Sequence, residues 1–413
     1  MGLDKLQPRL AASLDQLARS GARKGEERVI TGRLPPRDGF GPRYLLKGHD
    51  KRAFLRMNAN DYLGLAHHPQ VIAAGEKAAR RLGAGPGAVR FISGTYAPHI
   101  ELEERLAAFH GREAGMVFSA AYAAVLGVLP QLITGETLVV SDALNHNSII
   151  NALRLAQPAA KAIYGHLDTA ELEDILVRHA GKVSRVVVVT DGVFSMRGDH
   201  APLDEIAALG RRYEEYFVEG LITIVDDSHG IGALGATGRG TEEKTAAAAA
   251  DILIATMGKA LGVNGGYVVA SQTVIDYLRE TAPFYIYSNP LTPSEAAAAL
   301  AALEILDSSE GLGLLARLRT LAAGLRASFQ ERSYETIAGE HPIVPLQIRD
   351  SAKTRELVKR LFAGDILATG ISYPVVPAGD EEIRFQVSAE HTARDIDYLL
   401  RTLKTGIGAQ GPG

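Results

Sequence analysis

Short, almost wholly apolar runs punctuate the middle of this chain: Thr137–Ser141, Arg185–Thr190, Leu221–Val225 and Ile252–Thr256. Segments of helical composition and length separate them. Alternation of this kind predicts parallel strands joined by crossover helices, and strands without a polar face predict a sheet covered on both sides. The runs end at or just before polar residues, Asp142, Asp191, Asp226 and Lys259. Ligands of open α/β sheets sit at the carboxyl ends of strands, so these residues are placed to share one site.

Elsewhere the period changes. Leu102, Leu106 and Phe109 recur at helical spacing between His99 and His110, with Glu101, Glu103 and Glu104 in the first turn, where the macrodipole favours acids. Residues 1–30 are charged and helical in pattern, whereas Gly32 to Gly48 hold three prolines and four glycines and read as a loop or linker. Beyond Pro293 come an Ala/Leu helix (Ser294–Leu306), a basic helix (Leu314–Arg332) and then short strands and helices, the pattern of a smaller α+β domain. The expected division is an N-terminal helix and linker over 1–57, a large domain over 58–293 and a small C-terminal domain over 294–413.

Composition narrows the function. Of 413 residues, 46% are hydrophobic and 22% charged, a globular balance with a core too large for one small domain. A net charge of −4 gives no electrostatic footprint for nucleic acid or anionic lipid. There is no cysteine, which excludes disulfides, thiolate metal sites and cysteine nucleophiles together. The first residues lack the apolar core of a signal peptide, so a cytoplasmic protein is expected. Ala114 to Gly135 is free of charge for 22 residues, but Ser119, Pro130 and Gln131 interrupt it, and it reads as a strand plus a buried helix rather than a membrane span.

Four segments carry candidate chemistry. Ile254-Ala-Thr-Met-Gly-Lys-Ala-Leu-Gly262 puts Lys259 after an apolar strand among small residues. Such a lysine either snorkels at the surface or, desolvated beside a planar cofactor, forms a Schiff base. Val225-Asp-Asp-Ser-His-Gly230 offers Asp226 and His229 as a metal pair, a catalytic dyad, or a capping acid with a satisfied histidine. With a lysine they suggest pyridoxal 5′-phosphate, which needs a carboxylate at its pyridine nitrogen and a donor to its ring hydroxyl oxygen. His146 follows a strand end and could face such a ring, though a lone histidine is most often structural. Ser119-Ala-Ala-Tyr122 precedes a helical run whose first amides could bind phosphate.

These residues belong to a set of six motifs: Asn58-Ala-Asn-Asp-Tyr-Leu-Gly64, Val89-Arg-Phe-Ile-Ser-Gly-Thr95, Ser141-Asp-Ala-Leu-Asn-His-Asn-Ser-Ile-Ile150, Thr190-Asp-Gly-Val-Phe-Ser-Met196, Val225-Asp-Asp-Ser-His229 and Thr256-Met-Gly-Lys259. In this order they resemble the α-oxoamine synthases, from about Arg28 to about Leu403. The resemblance implies a fold-type I pyridoxal phosphate enzyme, mostly parallel central sheet plus a smaller C-terminal α+β domain. It also implies a homodimer with active sites at the subunit interface, and condensation of a small amino acid with an acyl-CoA or acyl carrier protein thioester.

By the same resemblance Lys259 holds the cofactor and moves the Cα proton, Asp226 pairs with the pyridine nitrogen, His229 with the ring oxygen, and His146 stacks on the ring. Ser195 lies beside the cofactor. Thr256 and the backbone of Ala121 and Tyr122 hold phosphate, with Ser288 and Asn289 from the second subunit. Arg384 grips the amino-acid carboxylate and Asn60 lies on the substrate side. Glycine is the expected amino acid, with alanine or serine as alternatives, and no metal is implied.

Ala120-Ala121 and Glu382 depart from the family pattern, Ser-Gly or Ser-Cys and an arginine being common there. An aldolase or aminotransferase of the same fold, or a catalytically silent partner subunit, would be competing readings; the presence of Lys259 argues against the last.

Overall fold

The computed structural model describes residues 2–20, 23, 26–373 and 376–404. Its packing forms two compact units, one of residues 60–322 and 339–342, the other of the described residues within 1–59, 323–338 and 343–413.

The larger unit is built on a seven-stranded sheet. In chain order its strands are β1 (Ala114–Phe118), β2 (Thr137–Asp142), β3 (Ala160–Tyr164), β4 (Arg185–Asp191), β5 (Leu221–Asp226), β6 (Ile252–Thr256) and β7 (Gly266–Ala270). They lie side by side as β1-β7-β6-β5-β4-β2-β3. From β6 to β3 every neighbour is parallel, and β7 alone runs against β6 and β1. The architecture is therefore the expected one: a mostly parallel sheet flanked by helices, with a smaller α+β unit.

The Val-rich sequence of β4 explains its central place, since Val186 to Val189 are buried and β-branched side chains pack well on a pleated surface. One shared core includes Val125, Val128 and Leu129 of the helix Ala121–Leu132, Ile149 and Ala152 of Asn147–Leu155, and Val139, Val187, Ile224 and Ile254 of the sheet. The uncharged stretch Ala114–Gly135 is thus a strand followed by a buried helix. Among the described residues no helix is long and apolar enough to cross a membrane.

In the smaller unit Glu382–Gln386 pairs antiparallel with Ile343–Gln347 on one side and Thr369–Ile371 on the other. The segment that reads as linker is instead a hairpin, Ile30–Leu34 against Arg43–Leu46. Its prolines and glycines are concentrated between the strands, at Pro35, Pro36, Gly39, Gly41 and Pro42, where a turn needs them. Leu55–Arg56 pairs with Ile366–Leu367, and the described residues before 60 form one unit with those of 323–338 and from 343 on.

The helix Ala97–Phe109 is anchored by charge. Both oxygens of buried Glu103 accept from Arg90, at 2.9 and 3.1 Å; Oε2 also accepts from Arg279 at 2.8 Å and Oε1 from the Val117 amide at 3.0 Å. One carboxylate therefore joins helix, strand β1 and two guanidinium groups. Removing it as Glu103→Ala takes the carboxylate from buried Arg90 and half-buried Arg279 and should lower the unfolding free energy by about 3–5 kcal/mol in urea titration. A loss below about 1 kcal/mol would mean that the arginines find water instead.

Candidate active site

Parallel pairing sets the site. Asp191 at the end of β4 lies directly across from Asp226 at the end of β5, and Asp142 ends the neighbouring β2. Asp226 is 7% exposed and Asp191 5%, so two carboxyl groups share a desolvated edge. Burial and the neighbouring Asp226 push the Asp191 carboxyl well above the usual carboxylate range, against the opposing pull of the His146 amide and Lys259. The site thus places beside Asp226 an acid whose protonated form is favoured.

Lys259 follows β6 in a turn that the local sequence dictates. Thr256 Oγ accepts the Gly258 amide and donates to the Gly265 carbonyl, both at 3.0 Å, and Gly262 closes the turn onto the Lys259 carbonyl at 2.9 Å. Gly262 has φ +70°, and a Cβ there would lie 2.2 Å from the Ala66 nitrogen, so only glycine fits. Thr256 accordingly shapes the loop that presents the lysine. The half-buried Lys259 acts electrostatically on both His146 and Asp191, so strand-end acids, imidazole and amine are gathered together.

His229 sits one turn beyond Asp226. Its Nδ1 is 2.7 Å from the hydroxyl of fully buried Tyr62, and its carbonyl accepts from His341 Nε2 at 2.8 Å. Beneath it Asp227 is wholly buried, taking hydrogen bonds from the Thr241 amide and hydroxyl at 2.7 Å each. A Cβ at Gly192, Gly230 or Gly240 would come within 2.1 Å of that carboxyl group. Burial pushes Asp227 up to about 7 despite these donors. Sequence reasoning singled out Asp226 and His229 and missed Asp227, Tyr62 and His341. The adjacent acid within the Asp-Asp-Ser-His string was the available signal for the first, and the Asn58–Gly64 motif contains Tyr62 without marking its role; nothing in spacing pointed to His341.

His146 caps the helix Asn147–Leu155. Its Nδ1 accepts the Ser148 amide at 3.2 Å, which leaves the ring proton on Nε2 in the neutral form. Burial holds this imidazole below its ordinary value, and Lys259 acts in the same direction while Asp226 opposes it. Its own amide donates to Asp191 Oδ2 at 2.8 Å. The Tyr122 ring stands edge-on to it, centroids 6.3 Å apart, and the Tyr122 hydroxyl donates to Asn147 Oδ1 at 2.8 Å.

The helix Ala121–Leu132 begins without a side-chain cap, leaving its first amides available to an anion. Gly266 at the start of β7 backs this end so closely that a Cβ would lie 2.3 Å from the Ala121 nitrogen. Ser195 is half-buried in the loop after β4, where Phe194 bonds to Asp199 and Gly198 back to Phe194. Asn60 is half-buried, with its Oδ1 3.4 Å from the Tyr62 hydroxyl. Ser288 and Asn289 lie not at a strand end but after the short helix Pro283–Ile286, with Asn289 exposed. Arg384, half-buried in the strand Glu382–Gln386, belongs to the smaller unit, where Glu382 accepts from Gln347 at 2.6 Å.

The donor set fits pyridoxal 5′-phosphate. An acid at a strand end suits the pyridine nitrogen, a histidine the ring oxygen, an amine the aldehyde, and an uncapped helix N-terminus the phosphate. Ser228 Oγ is moreover buried next to Asp226 without a hydrogen-bond partner among the described residues, a polar vacancy typical of a ligand edge.

Residues 52–403 match the family model described as aminotransferase class I and II. The chain is 40% identical to the 8-amino-7-oxononanoate synthase of Geobacter sulfurreducens over 395 residues, 95% of this chain and 96% of that protein. It is 38% identical to the mitochondrial 2-amino-3-ketobutyrate coenzyme A ligase of Bos taurus over 400 residues, 96% of this chain and 91% of the other. A lysine-to-alanine variant of the serine palmitoyltransferase of S. paucimobilis, solved with a bound PLP–myriocin aldimine, superposes with a TM-score of 0.85 at 26% identity over 96% of both chains. The chain belongs to the α-oxoamine synthase family, pyridoxal 5′-phosphate-dependent acyltransferases that condense an amino acid with an acyl thioester.

Proposed function

We propose that the amino acid is alanine and that the donor is an acyl thioester longer than acetyl. The observation that carries this is the 40% identity, end to end, with an 8-amino-7-oxononanoate synthase. In the compound so named, the amino-bearing carbon carries a terminal methyl and adjoins a ketone. That fragment is alanine without its carboxylate, and the other seven carbons are an acyl chain. The balanced reaction joins alanine Cα to the acyl carbon and releases carbon dioxide and the free thiol. The comparisons favour this acceptor over the glycine expected from the sequence; glycine remains the second reading because the Bos taurus ligase is 38% identical.

Bound pyridoxal 5′-phosphate supplies a protonated ring that delocalises the electron pair left at Cα. In this reading Asp226 keeps the proton on the pyridine nitrogen, a task that suits a buried acid whose neighbour Asp191 is pushed toward its protonated form. Lys259 Nζ holds the cofactor and takes the Cα proton. His229, oriented by Tyr62, donates to the ring oxygen. Neutral His146 covers the ring and excludes water, Ser195 lies at its edge, and Ala121, Tyr122 and Thr256 hold the phosphate. Arg384 and Asn60 hold the amino acid. Ser288 and Asn289 serve the second site of a homodimer.

Two measurements test this assignment. Purified, cofactor-loaded protein should release thiol fastest with alanine and an acyl-CoA of about seven carbons, with carbon dioxide in equal amount. Release with glycine and acetyl-CoA, and no carbon dioxide, would replace the first reading with the second. Asp226→Asn should lower turnover by about a hundredfold or more, because an amide cannot keep the ring nitrogen protonated. Asp191→Asn, which replaces an acid already pushed toward its protonated form by a neutral amide, should stay within about tenfold of wild type. Equal losses in both variants would mean that the two acids share the charge.

A further inference from the structure

We propose that His166 is a positioning residue, a cationic clamp that ties the turn leading to His146 to the loop carrying Ser195. The inference rests on the proposed roles of those two residues toward pyridoxal phosphate. None of the six motifs contains His166; it lies in Tyr164-Gly-His-Leu-Asp168, just after β3.

Both ring nitrogens face acids. Nδ1 is 3.2 Å from Asp142 Oδ1 and Nε2 is 3.2 Å from Asp199 Oδ2, so both must donate, and the ring is an imidazolium. The ring also meets Phe194 edge-on, with centroids 4.4 Å apart and the planes at 87°. Asp142 and Asp199 meet opposite nitrogens of the ring. Asp142 Oδ1 accepts the Leu144 amide at 2.8 Å in the turn that continues to Asn145 and His146. Asp199 closes the Ser195 loop through its carbonyl, which accepts from Phe194 at 3.0 Å, and its carboxylate takes Arg197 Nε at 2.6 Å.

The turn that offers His166 is itself held under strain. Leu167 has φ +62°, a left-handed conformation that a leucine keeps only where its surroundings impose it. Its amide donates to Asp142 Oδ2 at 3.0 Å, and the Gly165 amide donates to Glu171 at 2.6 Å. Asp142 thus fixes the backbone of the turn and the imidazolium with separate oxygens.

The charged groups facing the clamp are Asp142, Asp199 and Arg197, with Asp191 and the Tyr164 phenol near Asp142. Burial opposes the charge on His166, but the two acids outweigh it and push the imidazole up to about 9. A folded-state value above the ordinary 6.5 means that the stabilisation is complete below that pH and disappears as the pH rises through 9. The clamp is closed at neutral pH and opens in mild alkali.

The test is cofactor affinity, measured by titrating apoenzyme with pyridoxal 5′-phosphate and following the visible band. His166→Phe keeps the ring contact and removes both donors; its dissociation constant should rise about tenfold at neutral pH. The ratio of variant to wild type should then fall toward one between about pH 8 and pH 10, as the wild-type clamp deprotonates. An unchanged dissociation constant and band, with only a lower melting temperature of the apoenzyme, would overturn the proposal and leave His166 a packing residue. Should His166→Phe fail to fold, Asp199→Asn carries the test with a smaller rise, and histidine nitrogen NMR of the wild type must show both ring nitrogens protonated at about pH 8. His146→Ala and Ser195→Ala serve as controls. If they leave affinity unchanged, the reading of the site fails; if they weaken it while His166→Phe does not, the clamp alone fails.

Discussion

Parallel register at one sheet edge is the constraint on which the remaining structure depends. Because β2, β4, β5 and β6 run in the same direction and pair in sequence, their last residues must emerge side by side. Asp142, Asp191, Asp226 and Thr256 come together for that reason, before any side-chain interaction is considered. The cost of the arrangement is several acids at a desolvated edge, and the chain manages each differently. Burial and the neighbouring Asp226 favour the protonated form of Asp191. Asp227 is enclosed by the Thr241 donors and a ring of glycines, and Asp142 binds two amides and an imidazolium. Only Asp226 is left to answer a charge brought by a ligand.

Strand ends were legible in the sequence because apolar runs and the polar residues that stop them are local signals. The runs ending at Ser141, Thr190, Val225 and Thr256 differ from the observed strands by at most one residue. Ala160–Tyr164 was not legible: it alternates exposed and buried positions at the sheet edge and carries Lys161, so it lacks the continuous apolar signature. Gly266–Ala270 was not legible either, because only five residues follow the glycines at 265 and 266 before the next helix. The hairpin over Ile30–Leu46 was masked by its own turn, whose prolines and glycines dominate the composition of so short a segment.

The same contrast runs through the site. Lys259, Asp226, His229 and His146 were found because each adjoins a strand end or a motif. The groups that orient His229 are distant in sequence, Tyr62 by 167 positions and His341 by 112, as is Arg279 from the Glu103 it anchors, by 176. Long-range hydrogen bonds leave no periodicity to read. His166 is an intermediate case, since its partner acids Asp142 and Asp199 lie 24 and 33 positions away, in the turns next to its own. Its role follows from two nitrogens facing two carboxylates, a geometry that no single segment encodes.

Cofactor and substrate differ in how strongly they constrain a chain. A pyridinium, a phosphate and an aldehyde demand a charge, a set of donors and an amine at fixed places, and replacing one removes a buried, charge-assisted contact. Alanine and glycine differ by one methyl group, for which an apolar pocket discriminates by only about 1–3 kcal/mol. That margin can be set by small changes in the volume of a few side chains, without disturbing any motif. Six motifs can therefore be common to enzymes whose names specify different amino acids, and the acceptor has to be decided by the product rather than by the residues that hold the ring.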